Sequence, residues 1–478
     1  MAALILRDYQ VKAVEDIDSA FQNGAKSIIY VAPTGMGKTV IFAELSRLCH
    51  NFGTSVAILV HRNTLLTQAG EKLNAINVPY SVIAPGRTDF GDNIRIASVQ
   101  TLVRRLDRYK FDFLIVDEGH HGIANCHRRL FGAWPDCRIL GVTATPLLAS
   151  GKGLREVYER LILGPSVRKL MDMGYLSEAV TYGAQHMVDL SKVRTTAGDY
   201  NAVDLAEAMD KNEVTGDAVK HYTDICPGKP AIVFCVSVQH AQDVAREFEL
   251  AGYRAASVDG RMPLAIIRQH LASLAIGAVQ VITSCDLISE GFDAPGVVAA
   301  ILLRPTKSLA VYMQQVGRAL RPVYAPGFNL DTSESRKAAM SMGGKPKAII
   351  LDHAGNAFRH GLVDEDRQWT LDARRKTRDT PAIGIKICPQ CYTYVKVWKK
   401  ECMCGYKFAQ NIKERIANYV DGHLVQLDAN LMRRMRKFEE AKARTYQELI
   451  DLGRRRGYNP GWAYYKWLAR GGRPSGAR

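Results

Sequence analysis

A chain of 478 residues is too long for one ordinary core, and its 47% hydrophobic and 23% charged residues exclude a largely disordered or fibrous protein. Its apolar runs, of which Val297 to Leu303 is among the longest, fall well short of the roughly 20 residues that span a bilayer, so a membrane span is excluded. The formal net charge of +16 is local: residues 371–478 hold 24 Lys and Arg against 10 Asp and Glu, or +14, which leaves +2 for residues 1–370. A balanced body with a basic appendage suits a polyanion partner, most often nucleic acid, against the simpler reading of a solvated, charge-rich tail.

From the N-terminus, Met1 to Leu6 is apolar but too short for a secretion signal and lacks a basic flank, so the chain is expected to begin with structure and to work in the cytoplasm. Residues 26–145 then alternate apolar runs with helix-like stretches. Ser27 to Val31, Val56 to Val60, Asn93 to Ala97, Phe113 to Val116 and Ile139 to Val142 read as buried strands of a parallel sheet covered by helices. A second series follows with Ala231 to Cys235, Arg254 to Val258, Val279 to Thr283, Val298 to Leu303 and Ala348 to Leu351. The expectation is two α/β domains in tandem, over residues 1–177 and 178–370, with a polar stretch from Ser191 to Val214 at the start of the second. Tyr324 to Lys347, with its Pro, Gly, Ser and Lys, is expected to be a loop or mobile insertion.

The chemistry starts after the first strand. Thr34, Gly35, Met36, Gly37, Lys38 and Thr39 form a Walker A loop leading into a helix. Its glycines turn backbone N–H groups onto phosphate, Lys38 reaches the β- and γ-phosphates, and Thr39 offers its hydroxyl to Mg²⁺. The loop departs from the strict pattern in starting with Ala32 instead of Gly. Downstream, Phe113 to Val116 ends in Asp117, Glu118, Gly119 and His120, two acids at the carboxyl end of a strand, where open α/β sheets bind ligands. Asp117 suits the Mg²⁺ shell and Glu118 the polarisation of an attacking water.

With the motifs that follow, these residues make residues 4–322 resemble a superfamily 2 helicase or translocase of the DExH type, which implies two tandem RecA-like domains closing on one ATP. Arg7 and Gln10 resemble the adenine-reading segment of such motors, His61 and Arg62 motif Ia, and Gln100 with Thr101 motif Ib, both backbone contacts to nucleic acid in the family. Gly141 to Pro146 resembles motif III and Phe234 to Gln239, with Ser237, motif IV. Thr283 to Pro295 resembles motif V, with Thr283 toward the strand of nucleic acid and Gly291 and Asp293 toward nucleotide. Gln314, Gly317, Arg318 and Arg321 resemble motif VI, and the two arginines share one helical face as expected of groups delivered to a transition state. The resemblance implies a catalytic set of Lys38, Glu118, His120, Gln314, Arg318 and Arg321. Two departures stand out: Gly119 where the commonest form has Ala, and His121 after His120. The wording is nearest to phage-encoded helicases, restriction-motor subunits and repair translocases, which favours DNA, in replication, recombination or repair. The alternatives are the motor of a restriction system with its nuclease on a partner, an RNA helicase, or a non-catalytic binding protein.

Of ten cysteines, Cys49, Cys126, Cys137, Cys226, Cys235 and Cys285 are scattered and read as reduced core thiols. Cys388, Cys391, Cys402 and Cys404 make CxxC and CxC knuckles, the donor set of a closed structural Zn²⁺ site, so residues 381–410 are expected to be a zinc ribbon. Tyr392, Tyr394, Trp398, Lys396, Lys399, Lys400, Tyr406 and Lys407 around them suit base stacking beside phosphate contacts, or the packing of the ribbon itself. The basic tail, 411–478, is expected to be helical: an amphipathic helix over 431–457, then a turn at Gly457 and Pro460 and a second helix carrying Trp462, Tyr465, Trp467 and Leu468. That hairpin could dock a replication or recombination protein.

Overall fold

The computed structural model describes residues 6–372 apart from 61–62, 88, 90, 148–152, 185–189, 191–192, 197, 210–211 and 286–295. Beyond 372 it describes 385–387, 394–396, 401, 405–407, 424–427, 440–441, 443, 445–456, 458 and 461–470.

The first domain runs α1 (Asp8–Gln22), β1 (Ser27–Val31), α2 (Lys38–Asn51), β2 (Val56–Val60), α3 (Asn63–Ala75), β3 (Ser81–Ile83) and β4 (Ile94–Ser98). It continues α4 (Val99–Val103), β5 (Phe113–Asp117), α5 (Asn125–Ala133), β6 (Arg138–Thr143), β7 (Arg160–Leu163) and α6 (Val167–Asp172). Its seven strands lie in the order β3-β4-β2-β5-β6-β1-β7, all parallel. Strands buried on both faces need no polar alternation, and β1, SIIYV, and β2, VAILV, are buried at every residue. α1 covers the sheet with Tyr9, Ala13, Ile17 and Phe21, one residue per turn at i, i+4 spacing.

The second domain runs β8 (Glu178–Ala184), β9 (Thr195–Thr196), β10 (Asp199–Tyr200), α7 (Ala202–Met209), α8 (Asn212–Ile225), β11 (Ala231–Cys235), α9 (Val238–Leu250) and β12 (Ala255–Val258). Then come α10 (Leu264–Ala275), β13 (Val281–Cys285), β14 (Ala299–Leu302), α11 (Leu309–Ala319), α12 (Ser333–Met342), β15 (Lys347–Asp352) and α13 (Asn356–His360). Beyond it lie β16 (Ile385–Ile387), β17 (Tyr394–Lys396), β18 (Leu424–Leu427) and helices Tyr446–Arg455 and Trp462–Leu468. The second sheet has the order β12-β13-β11-β14-β15-β8-β18, parallel except for β18. Two tandem RecA-like α/β domains are thus the observed fold class. One hydrophobic cluster runs from Ile17 and Ile28 of the first domain through Leu170 and Leu176 to Tyr312, Val316 and Leu320 of the second.

Three expectations are corrected. Tyr324 to Lys347 is not a loop throughout: Thr332 accepts a hydrogen bond from Ser335 N–H and starts α12, whose Arg336 is buried. The expected single helix over 431–457 is interrupted, because Ala443 is not helical and Thr445 begins a new helix. There the Glu448 N–H donates to the Thr445 hydroxyl and the Thr445 N–H to the Glu448 carboxylate. The 411–478 segment also contributes a strand, since β18 pairs antiparallel with β8 and covers a sheet edge that would otherwise present unpaired backbone groups. The two terminal helices do pack on each other, burying Leu449, Leu452 and Ala463, with Glu440 paired to Arg456 and Lys466 at 2.9 Å each. Among the described residues, no helix is long and apolar enough to cross a membrane.

The packing at the end of β5 explains the Gly119 departure. A Cβ there would lie 2.6 Å from Gly141 Cα and 2.9 Å from Val142 N, both backbone atoms of β6 that cannot move aside alone. Tyr158, fully buried, completes the contact by donating to the Gly119 carbonyl at 2.8 Å. Restoring the family's usual residue, Gly119→Ala, is therefore expected to destabilise the first domain by about 1–3 kcal/mol through overpacking. Gly132→Ala in α5, where a Cβ meets nothing within 4 Å, should be neutral or stabilising. Thermal unfolding midpoints decide it: a Gly119→Ala midpoint equal to the parent's would refute the packing argument.

Candidate active site

The site forms where β1, β6 and β5, adjacent in the sheet, present their carboxyl ends. After β1 the chain turns through Gly35 and Gly37, at φ 88° and 89°, a region that only glycine enters at little cost. Close approach adds to that requirement, since a Cβ on Gly37 would stand 2.6 Å from Gln10 Nε2. Gln10 is locked onto the loop: its amide donates to the Met36 carbonyl at 3.1 Å and its carbonyl oxygen accepts the Arg7 N–H at 3.0 Å. Each end keeps one hydrogen or one lone pair for a ligand. Tyr9 OH also donates to Met36 O, at 3.1 Å, so α1 sets the position of the loop.

Lys38 and Glu118 form an ion pair at 2.9 Å with both side chains 17% exposed. Burial works against both charges, but for Lys38 it is outweighed by Glu118 and Asp117, which hold its pKa above the ordinary value. For Glu118, burial is outweighed by Lys38 and then by His120, which keep the carboxyl ionised well below the usual range. Glu118 itself sits at φ 50°, ψ 53°, a left-handed conformation that costs a non-glycine residue about 1–3 kcal/mol and is characteristic of functional sites. His120 Nδ1 lies 2.9 Å from Thr143 Oγ1 and 3.4 Å from Glu118 Oε2, which ties the acid motif to the end of β6. Asp117 accepts the Glu118 N–H at 3.0 Å and lines a small cleft with Thr39 and Gln68.

α11 of the second domain closes on this arrangement. The Gln314 amide donates to Glu118 Oε1 at 3.3 Å, on the same oxygen as Lys38. Gly317 lies so close to the loop that a Cβ would be 2.4 Å from Thr34 Cγ2. Arg318 is buried and near enough to Lys38 to oppose its charge. Arg321 lies beside Gly35 beyond the end of α11 at Ala319, so the expected single helical face for the two arginines is corrected, and burial pushes its pKa down to about 10. Lys345, almost wholly buried, donates to the Arg321 carbonyl, and burial together with the Arg321 charge pushes it down to about 7.

Thr101 is buried in α4, beside an exposed Gln100. Ser237 caps α9, accepting the His240 N–H at 3.0 Å. Thr283 is wholly buried and donates to the Ala241 carbonyl at 2.6 Å. Arg62, Gly291, Asp293, Cys388, Cys391, Cys402 and Cys404 lie outside the described residues. Sequence reasoning missed Tyr175, Arg336 and Lys345 beside the site. No motif contains them: Arg336 and Lys345 lie in the segment that read as a loop, and Tyr175 at the expected end of the first domain.

Residues 3–148 match the family described as type III restriction enzyme, res subunit, and residues 215–323 the helicase conserved C-terminal domain. A 51.5 kDa protein of a Lactococcus phage (isolate 7-9) is 31% identical over 383 residues, covering 79% of this chain and 77% of that protein. The Saccharomyces cerevisiae protein named as ATP-dependent helicase IRC3 is 30% identical over 343 residues, or 67% of this chain and 50% of that one, so the chain spans about half its length. In fold, the chain is similar to a fragment described as the HsdR subunit of a type I restriction enzyme from Vibrio vulnificus YJ016, with a TM-score of 0.57, 20% identity, and coverage of 74% of this chain and 65% of that one.

Proposed function

The chain belongs to the superfamily 2 helicases and translocases, enzymes that hydrolyse ATP, and from that premise we propose that it moves along DNA by opening and closing its two domains around the site described above. The observation that carries this reading is the Glu118 carboxylate, which takes a hydrogen bond from Gln314 of the second domain while paired with Lys38 of the first. A group that touches both domains can make hydrolysis depend on closure.

ATP is the substrate. The N–H groups around Thr34, Gly35 and Gly37 face its phosphates, and Lys38 leaves Glu118 for the β- and γ-phosphates when they arrive. Glu118, freed from Lys38 and steadied by His120, takes the proton of the attacking water. Arg318 and Arg321 meet the charge that develops on the γ-phosphate. Arg7 packs on the adenine and Gln10 reads its edge with the hydrogen and lone pair still available. Thr39 and Asp117, which line one cleft, fit a divalent cation, and Mg²⁺ bound there supplies charge neutralisation at the phosphates. Gly291 and Asp293 belong to the same nucleotide site by resemblance, and Arg62, Thr101 and Ser237 to the nucleic-acid track. The match to a restriction-enzyme subunit over residues 3–148 supports DNA over RNA. The domain limits of 1–177 and 178–370, and a cytoplasmic place of work, belong to the same reading.

The cysteine cluster is read as a zinc ribbon over 381–410. In sequence, the antiparallel strands β16 and β17 flank Cys388 and Cys391, and the bridged pair Glu401 and Lys407 flanks Cys402 and Cys404, pairing that supports this reading. Four thiols suit tetrahedral Zn²⁺. The basic tail from 411 adds phosphate contacts, or docks a replication or recombination protein.

Two measurements test the proposal. ATP turnover should rise with DNA, compared across single-stranded, duplex and forked DNA and RNA. Glu118→Gln should bind ATP and DNA as before yet lose about 10²–10⁴-fold in turnover, because an amide cannot take a proton. Turnover indifferent to every polynucleotide would sink the translocase reading, and residual hydrolysis near the parent's would remove the role of Glu118. Separately, elemental analysis of protein purified without chelator should give one zinc per chain, lost when Cys388 and Cys391 are replaced by Ser. A metal-free parent would remove the ribbon.

A further inference from the structure

The stretch that carries the chain from the first domain to the second is gripped from an unexpected side. Arg336, on α12, is 5% exposed, and its Nε donates to the Met173 carbonyl at 2.7 Å. Its Nη1 donates to the carbonyls of Leu330 and Asp331 at 2.6 and 3.0 Å, so three carbonyl bonds fix the guanidinium. Thus held, its Cζ lies 4.0 Å from the centre of the Tyr175 ring. Arg7 lies over the same ring at 4.6 Å. The Tyr175 ring meets Tyr9 edge-on, with centres 5.0 Å apart, and Arg7 Nη1 donates to Tyr9 OH at 2.9 Å. Tyr324 OH, at the start of the segment that carries α12, donates to the Gly174 carbonyl at 2.6 Å, so a second side chain from the same segment holds the same stretch.

We infer that Arg336 is a positioning residue for nucleobase recognition, acting through the Tyr175 ring to fix Arg7 where the base of the nucleotide binds. The inference rests on the reading of Arg7 as the group that packs on adenine. Arg7 has long rotamer freedom, and a base gains from it only if the guanidinium is already in place. A ring that carries a cation on its face is a platform for that placement, and Arg336 and Tyr324 fix the platform. Because α12 belongs to the second domain, the grip on the base then depends on how the two domains sit together.

A contact with the base acts equally in ground and transition states, so its loss raises KM and leaves kcat in place. It also discriminates between bases, which a merely structural role for Arg336 would not. The experiment measures DNA-stimulated hydrolysis of ATP and GTP by the full chain with Arg336→Met, Arg336→Lys, Tyr175→Leu and Arg7→Met, after a check of each variant's thermal midpoint. Arg336→Met and Tyr175→Leu should raise KM for ATP about tenfold with kcat within about twofold, and lower the preference for ATP over GTP by a similar factor, the scale of one cation–π contact. Arg336→Lys should restore part of the preference, because it keeps a cation over the ring. Arg7→Met separates the two ideas. If it erases the base preference while Arg336→Met and Tyr175→Leu leave it intact, Arg7 meets the base and the positioning role is wrong. If Arg7→Met leaves the preference untouched, the reading of Arg7 and the inference fall together. A loss of kcat with equal effects on ATP and GTP would also overturn the inference, in favour of a hinge contact. Should Arg336→Met not fold, Tyr175→Leu against Tyr175→Phe, which keeps the ring, decides the question by the same ratio.

Discussion

The Glu118 carboxylate is the constraint on which the site depends. One acid at the end of β5 pairs with the P-loop lysine, lies near His120 and accepts a hydrogen bond from the second domain. Such a group is costly to bury, and it stays ionised only because the surrounding donors outweigh the desolvation. Its left-handed backbone has the same origin. The left-handed turn at the end of β5 places the side chain beside Lys38. The strain and the electrostatics are two sides of one placement, and Tyr158 and the Gly119–Gly141 contact hold the turn from behind.

Closure of the two domains is likewise a matter of missing side chains. Gly317 lets α11 come against Thr34, and without that approach Gln314 could not reach Glu118. Steric permission and chemical contact therefore sit within one helical turn of α11. Arg318, next in the chain, is carried with the helix, so the packing of Gly317 on Thr34 sets the distance at which it can act.

Much of this was legible in the sequence where the chemistry is local. β1, β2 and β11 were readable to the residue, because strands buried on both faces show as unbroken apolar runs between turn residues. β3, β7, β8 and β18 were not anticipated: three-residue β3 and partly exposed β7 carry no such run, and β8 and β18 gain their places from sheet partners far along the chain. Lys38, Asp117, Glu118 and Gln314 were found by motif, and they meet in space. A motif fixes a position along the chain but not the direction of a side chain, and nothing in the sequence signals that the Thr283 hydroxyl turns to Ala241. The helix within 324–347 was hidden by a composition rich in Gly, Ser and Lys. Only the cap at Thr332 and the burial of Arg336 against the first domain's last residues reveal its place.

The chain crosses between the domains at Met173–Ser177, and Met173, Gly174 and Ser177 hydrogen-bond to the second domain, while the Tyr175 and Leu176 N–H groups stay with the Leu170 carbonyl of the first. The Ser177 N–H donates to the Leu320 carbonyl at 2.8 Å and its hydroxyl to the Lys345 carbonyl at 3.3 Å, while Gly174 and Met173 accept from Tyr324 and Arg336. Lys345 in turn donates to the Arg321 carbonyl. The segment after motif VI is thus a brace between the crossing and the arginines. A second tie lies at the far end of that domain, where the Leu371 carbonyl accepts the N–H groups of Leu154 and Arg155 and its side chain packs in the first domain's core. Any opening that parts Thr34 from Gly317 must either turn about these two ties or break them. Turning about them moves α11 as a unit with Gln314 and Arg318 and preserves the brace that holds Arg321 to Lys345, so that the three leave and return together. That is the behaviour a two-domain ATPase needs if hydrolysis is to occur only when the domains are closed.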